Sequence, residues 1–273
     1  LSVVKASIAG SIIGNMLIVL GAAVLLGGIK NGEQTFDERV ASTNASMMSL
    51  AIVVLMIPAV FALGSREIQV SHGDIVNLSD GAAIILILLY VLYLTYTVFG
   101  KGGRPSAAAN DEAPAEKPER RRLYIALGLL VGSTLLVVLM SEILVGALEP
   151  TAVQWGLSDL FVGVMLVPLV GNVAEHLVAV QTALRNKMDL SIGIAVGSGL
   201  QIALFVAPVL VLVSQFVGPE PMTLVFNPFE LMALIAAVLI AVLISIDGRT
   251  NWLEGAQLIA LYAVVALAFY YVP

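Results

Sequence analysis

The sequence predicts an all-α polytopic membrane protein, and three observations carry that prediction. Of 273 residues, 59% are hydrophobic and only 12% are charged, about half the charged share of a soluble domain, roughly 25%. The charges are segregated, with long stretches that hold none. The uncharged stretches repeat at a length of about 20 residues, enough to cross ~30 Å of hydrocarbon. Strand-like alternation is absent, so a β-barrel is excluded, whereas helices satisfy their own backbone in lipid. Without cysteine there is no disulfide and no thiolate metal site. With only His72 and His176, the sequence does not point to a multi-histidine zinc site.

Eight spans follow in order: 3–29, 40–63, 80–99, 123–148, 158–184, 190–216, 229–246 and 254–272. Span 1 reads AGSIIGNMLIVL from Ala9 and carries Ser11 and Asn15 four residues apart. Spans 2 and 6 hold no charge, and span 4 holds one, Glu142. Span 5 contains Pro168 and Gly171, which weaken a helix in mid-membrane and free backbone carbonyls there. Spans 7 and 8 begin near Glu230 and Glu254, in first turns where a carboxylate favours the helix dipole. Asn251 and Glu254 have capping-box spacing. Between spans 3 and 4 lies a polar segment, 100–122, with Pro105, Pro114 and Pro118. The chain opens at Leu1 and is apolar by Val3, and it reads as truncated at its N-terminus.

Lys and Arg set the expected orientation. The loops after spans 1, 3, 5 and 7 hold Lys30, Arg39, Lys101, Arg104, Lys117, Arg120, Arg121, Arg122, Arg185, Lys187 and Arg249. Those after spans 2, 4 and 6 hold only Arg66. The positive-inside rule then puts the 100–122 linker in the cytoplasm and the C-terminus outside. Gly10-Ser11 and Gly197-Ser198 form a weak repeat offset by 187 residues. Span 1 starts outside and span 6 inside, so the copies are inverted, a recurring plan in secondary transporters. The expected divisions are 1–99, a partial N-terminal repeat of three helices; 100–122, the linker; and 123–273, a C-terminal repeat of five.

The chemistry concentrates in span 5. Asn172 and Glu175, three apart, share a helix face with Gly171 close by. A carboxylate, an amide oxygen and freed carbonyls are hard oxygen ligands of the kind calcium prefers. An intramembrane acid is a functional candidate by default, against the bland reading of a structural acid bonded to a neighbouring helix. His176 is either a titrating group or a satisfied interhelical contact. Ser198 and Gln201 in span 6, and Ser11 and Asn15 in span 1, offer further oxygens. Gly193 and Gly197 form a small-xxx-small pattern that close packing explains. Glu142 serves a proton relay or an outer interface.

At these residues the chain resembles the calcium/proton exchangers of the CAX type, in the calcium/cation antiporter superfamily. The run Pro168-Leu-Val-Gly-Asn-Val-Ala-Glu-His176, the following NKMDLSIGIAVGSGLQIALFVAP, and KASIAGSIIGN, SEILVGALE and DGRTNWLEG carry the likeness. The resemblance implies two inverted five-helix halves whose first helices are missing here. It implies Glu175 as a calcium ligand that also takes protons, with Asn172, the Gly171 carbonyl, Ser198 and Gln201 beside it. Ser11 and Asn15 would serve from span 1, with His176 and Glu142 as further proton or gating groups. The family's other Gly-Asn-x-x-Glu motif is absent from the chain and is expected about 12 residues ahead of Leu1. The implied activity is exchange of Ca2+ for H+ by alternating access, with no cofactor and no enzyme chemistry. Sodium-coupled or broader divalent exchange is the alternative. An intramembrane metalloenzyme lacks its His-Glu-x-x-His motif. The partners are calcium, protons and membrane lipid, with nothing pointing to nucleic acid and a homo-oligomer left open. The expected location is a prokaryotic plasma membrane, with a vacuolar membrane as the alternative.

Overall fold

A computed structural model of the chain describes residues 1–68, 71–99, 120–217 and 220–272. All eight expected spans are helical. Span 1 is Ser2–Asn31, span 2 Glu38–Ile68, span 3 His72–Phe99 and span 4 Arg120–Trp155. Span 5 is Asp159–Gly171 with Val173–Leu184, span 6 Met188–Ser214, span 7 Pro228–Ser245 and span 8 Trp252–Tyr271. Among the described residues six of these are long and apolar enough to cross a membrane, and the bent pair of span 5 makes a seventh. In span 4 the apolar stretch found among the described residues is Tyr124–Met140. The linker expected at 100–122 lies outside the described residues up to 119, and Arg120–Arg122 open the span 4 helix.

Span 1 is the hub. Its apolar window is 72% buried against 17% for span 3, and Ile12, Ile13, Met16, Leu17 and Leu20 are among the largest fully buried side chains. The contacts around it come in mirrored pairs. The second half of span 1 packs on span 8, as the second half of span 6 packs on span 3. The first half of span 1 meets span 7, as that of span 6 meets span 2. This exchange of partners is the inverted repeat in three dimensions.

The mirror extends to the backbone. Span 1 widens into a π-helical turn at Asn15–Val19, and span 6 does so at Ile202–Val206. These segments carry the same offset of 187 as the Gly-Ser pairs. A π-turn closes its hydrogen bonds one residue later than an α-turn and occurs most often at functional sites. A third lies in span 5 at Val162–Leu166, just ahead of Pro168. Proline has no N–H, and its ring crowds the carbonyl four residues back, that of Val164, and Pro208 follows the turn of span 6 at the same spacing.

Spans 5 and 6 form a tight hairpin, turning through Asn186 at φ 57°. The loop after span 1 grips this turn. Gln34 Nε2 donates to the Ala183 carbonyl (3.0 Å) and to Asn186 Oδ1 (2.9 Å), and Asn31 Nδ2 donates to the same Ala183 carbonyl at 3.0 Å. A short pairing joins Gln34–Thr35 (β1) antiparallel to Arg249–Thr250 (β2), with Gln34 opposite Thr250. Two residues are too few to alternate, so the sequence pattern carries no sign of it. The loops after spans 1 and 7 therefore share one face, called the β face below. Asn251 caps span 8 through the expected capping box, and Asn227 with Glu230 does the same for span 7.

Close packing falls on other glycines than the small-xxx-small pattern suggests. A Cβ at Gly21 would lie 2.9 Å from Leu258 Cβ, and one at Gly199 2.7 Å from Met16 Cε. At Gly193 and Gly197 a Cβ would meet nothing within 4 Å among the described residues. Packing therefore does not account for Gly193.

Candidate cation site

Span 5 breaks by 58° between Gly171 and Val173. Asn172 sits at the break (φ −103°, ψ 13°), where its N–H still reaches the Pro168 carbonyl at 3.0 Å and its carbonyl takes the His176 N–H at 3.0 Å. Pro168 and Gly171 thus weaken the helix, but the hinge itself is the asparagine. One consequence places Glu175 in the first turn of the second half, Val173–Leu184. There it lies near the free backbone N–H groups that open a helix.

The break brings Glu175 against span 6. Ser198 Oγ donates to Glu175 Oε2 at 2.7 Å, joining the two spans across the hairpin. Both side chains are half-buried. Spans 1 and 5 also hold polar atoms with no partner among the described residues. They are both amide atoms of Asn15, Asn172 Nδ2 and His176 Nε2. Asn15 is wholly buried, its Cβ 3.9 Å from where a Cβ on Gly199 of span 6 would lie. A buried amide left unbonded costs about 1–3 kcal/mol, so such groups mark places for polar or charged guests.

The other residues expected at the site divide. Ser11 is half-buried on span 1, four residues before Asn15 and on its helix face. Gly171 is exposed at the break. Gln201 is exposed, three residues beyond Ser198, and its side chain makes no hydrogen bond among the described residues. Glu142 is exposed on span 4, with no described contact that joins it to Glu175. No group of three or more acids or histidines gathers among the described residues. Any cation at Glu175 would therefore rest largely on neutral oxygens in this chain, a donor set suited to a hard ion. Residue types suited to calcium do not point to Lys5, which the fold nonetheless ties across the bundle. Its signal in the sequence is isolation, a single charge six residues ahead of Ser11 in an otherwise apolar stretch.

Span 1 is pressed to the first half of span 5 at Gly10. A Cβ there would coincide with the Val164 carbonyl oxygen and stand 2.7 Å from Pro168 Cγ. Pro168 removes the N–H that would bond Val164's carbonyl within the helix. The freed oxygen instead faces the bare Cα of Gly10, a contact only glycine permits.

The chain and its fold have known relatives. The sodium/calcium exchanger protein family matches residues 1–99 and 125–271. The chain is 46% identical over 284 residues to a Ca2+/H+ antiporter of Aphanothece halophytica, covering 100% of this chain and 75% of that protein. It is 43% identical over 271 residues to the Ca2+/H+ antiporter ChaA of Bacillus subtilis, covering 98% and 75%. Among solved structures it superposes on native YfkE with a TM-score of 0.81 at 41% identity, covering 98% of this chain and 75% of that one. An H+/Ca2+ exchanger CAX shares the fold, with a TM-score of 0.68 at 18% identity and coverage of 97% and 68%.

Proposed function

We propose, since the chain belongs to the sodium/calcium exchanger protein family, that it serves the exchange of Ca2+ for H+ across a membrane at Glu175. The observation that carries this reading is the 2.7 Å contact between Ser198 and Glu175 at the break of span 5, inside the helical bundle. The relatives named as Ca2+/H+ antiporters support the choice of ions.

The exchange follows from one carboxylate with two uses. Ionised, Glu175 supplies a charge and two oxygens to a calcium ion. Asn172 Oδ1, the Gly171 carbonyl, Ser198 Oγ, Gln201 Oε1, Ser11 Oγ and Asn15 Oδ1 are the neutral oxygens proposed for such a role. Protonated, the same carboxyl loses the charge that holds the cation. Ser198 then keeps the side chain in place through a bond that either state of the carboxyl accepts. Each turnover needs the site to face the two sides in turn, and the inverted repeat supplies two related arrangements of the same helices. His176 and Glu142 are further proton-handling groups in this reading. The divisions 1–99, 100–122 and 123–273 stand as its repeat boundaries, with the linker cytoplasmic and the location a plasma or vacuolar membrane.

Calcium uptake into vesicles, with and without an imposed pH gradient, tests the proposal. Uptake driven by the pH gradient and weakened by acid on the calcium-loading side is expected. Glu175→Gln keeps the shape, removes the charge and abolishes that uptake while the protein still inserts. Uptake that follows a sodium gradient and ignores pH would replace protons with sodium as the coupling ion.

A further inference from the structure

Two charged side chains outside the cation site tie the central spans to the polypeptide at opposite ends of the bundle. Lys5, half-buried in the first turn of span 1, donates through Nζ to Thr223 Oγ1 (3.0 Å) and to the Val225 carbonyl (3.2 Å). The strap that carries these acceptors is anchored elsewhere. Met222 N–H donates to Ser214 Oγ at the end of span 6 (2.7 Å), and Leu224 N–H donates to buried Ser79 Oγ at the start of span 3 (3.1 Å). The strap then enters span 7, whose Glu230 is buried and attracts the Lys5 ammonium.

The β face carries the mirror image. Asp189, in the first turn of span 6, accepts through Oδ1 from the Asp37 N–H at 2.6 Å. That strap is anchored elsewhere too, because Phe36 N–H donates to the Gly248 carbonyl at 3.0 Å beside the β1–β2 pair. It then enters span 2. Spans 1 and 6 are related by the inverted repeat, as are spans 7 and 2, so the two ties join corresponding elements, although by the offset of 187 Lys5 aligns with Ile192 and Asp189 with Ser2. Their chemistry is opposite, a cation that donates at one end and a carboxylate that accepts at the other. No helix cap requires Lys5, and a charge held within an apolar span is costly unless it has a task.

We propose that Lys5 and Asp189 are paired end latches that set which face of the central helices opens. Each is a positioning residue that acts through its strap and touches no transported ion. The inference rests on the alternating exchange proposed above. Releasing one latch frees its own end of a central span and leaves the other end held, so the two releases bias the protein in opposite directions.

The absence of cysteine allows clean thiol reporters. Ile8 and Ile192, each three residues inward from its latch, are buried at 5% and 4% exposure. Ile8→Cys and Ile192→Cys are labelled with a membrane-impermeant thiol reagent from each side of oriented vesicles, without calcium or pH gradients. Lys5→Met is expected to speed labelling at position 8 about tenfold without speeding it at 192, as loss of a hydrogen bond to a charged group shifts a two-state equilibrium by that order. Asp189→Ala is expected to do the reverse, and Lys5→Arg to behave as the parent. Thr223→Val, which leaves span 1 untouched, gives a smaller rise at position 8 and serves where Lys5→Met fails to fold. Equal rises at both positions, or no change at either, overturn the latches. Reciprocal labelling in vesicles that fail to exchange calcium for protons supports the latches and removes the proposed exchange.

Discussion

Gly10 and Gly197 occupy the same place in two copies of one pattern, yet they live in different surroundings. Gly10 is buried with the Val164 carbonyl and the Pro168 ring against its Cα. Gly197 is half-buried, with no described residue within 4 Å of where a Cβ would stand. The same Gly-Ser pair is thus a packing device in span 1, while in span 6 its serine holds the carboxylate of Glu175. A repeated motif carries a backbone geometry from one copy to the other, here the π-turn four residues further on. It does not carry an environment, because the environment is set by whichever helix lies alongside.

Substitution breaks or sharpens that contrast, and the largest effect belongs to Gly10→Val. No side-chain motion relieves its clash with a backbone oxygen, so span 5 must shift. Overpacking of this kind costs roughly 1–3 kcal/mol or more, enough to lower the melting temperature in detergent sharply. An unchanged melting temperature would mean that spans 1 and 5 are not pressed together.

A smaller effect is expected from Ser198→Ala. It removes one part-buried hydrogen bond, worth about 0.5–1.5 kcal/mol. Glu175 then loses its tether, and the apparent calcium affinity in transport falls about tenfold, with a smaller drop in melting temperature than Gly10→Val gives. Equal loss at Ser11→Ala would assign the same task to both copies and dissolve the contrast.

Gly197→Ala gives the smallest change, of opposite sign to that at Gly10. With space for the methyl, it restricts the unfolded backbone and leaves stability equal or about 0.5–1 kcal/mol higher. Destabilisation at Gly197, read by the same melting experiment, would show that span 6 is covered where the described residues leave it open.

The spans and the capping box at Asn251 were legible because length, charge and cap chemistry are local. Ser198 beside Glu175 came from the family resemblance, since its residue type alone marked it as one further oxygen among several. The π-turns were not legible. A helix apolar on every side shows no periodicity from which a wider turn could be told. Nor were the glycine contacts, because Gly10, Gly193 and Gly197 look alike until a neighbouring backbone arrives. Glu142 and Gln201 show the converse limit. Their residue types suit a cation site, but both side chains are exposed, and the described contacts do not join them to Glu175.

The two π-turns at Asn15–Val19 and Ile202–Val206 stand at matching points of spans 1 and 6, the helices that carry Ser11 and Ser198. A π-turn is rare in an α-helix and frequent at functional sites. Its geometry here does not depend on one residue type, because Asn15 opens it in one copy and Ile202 in the other. A polar side chain can therefore be exchanged for an apolar one at this turn while the course of the helix is kept.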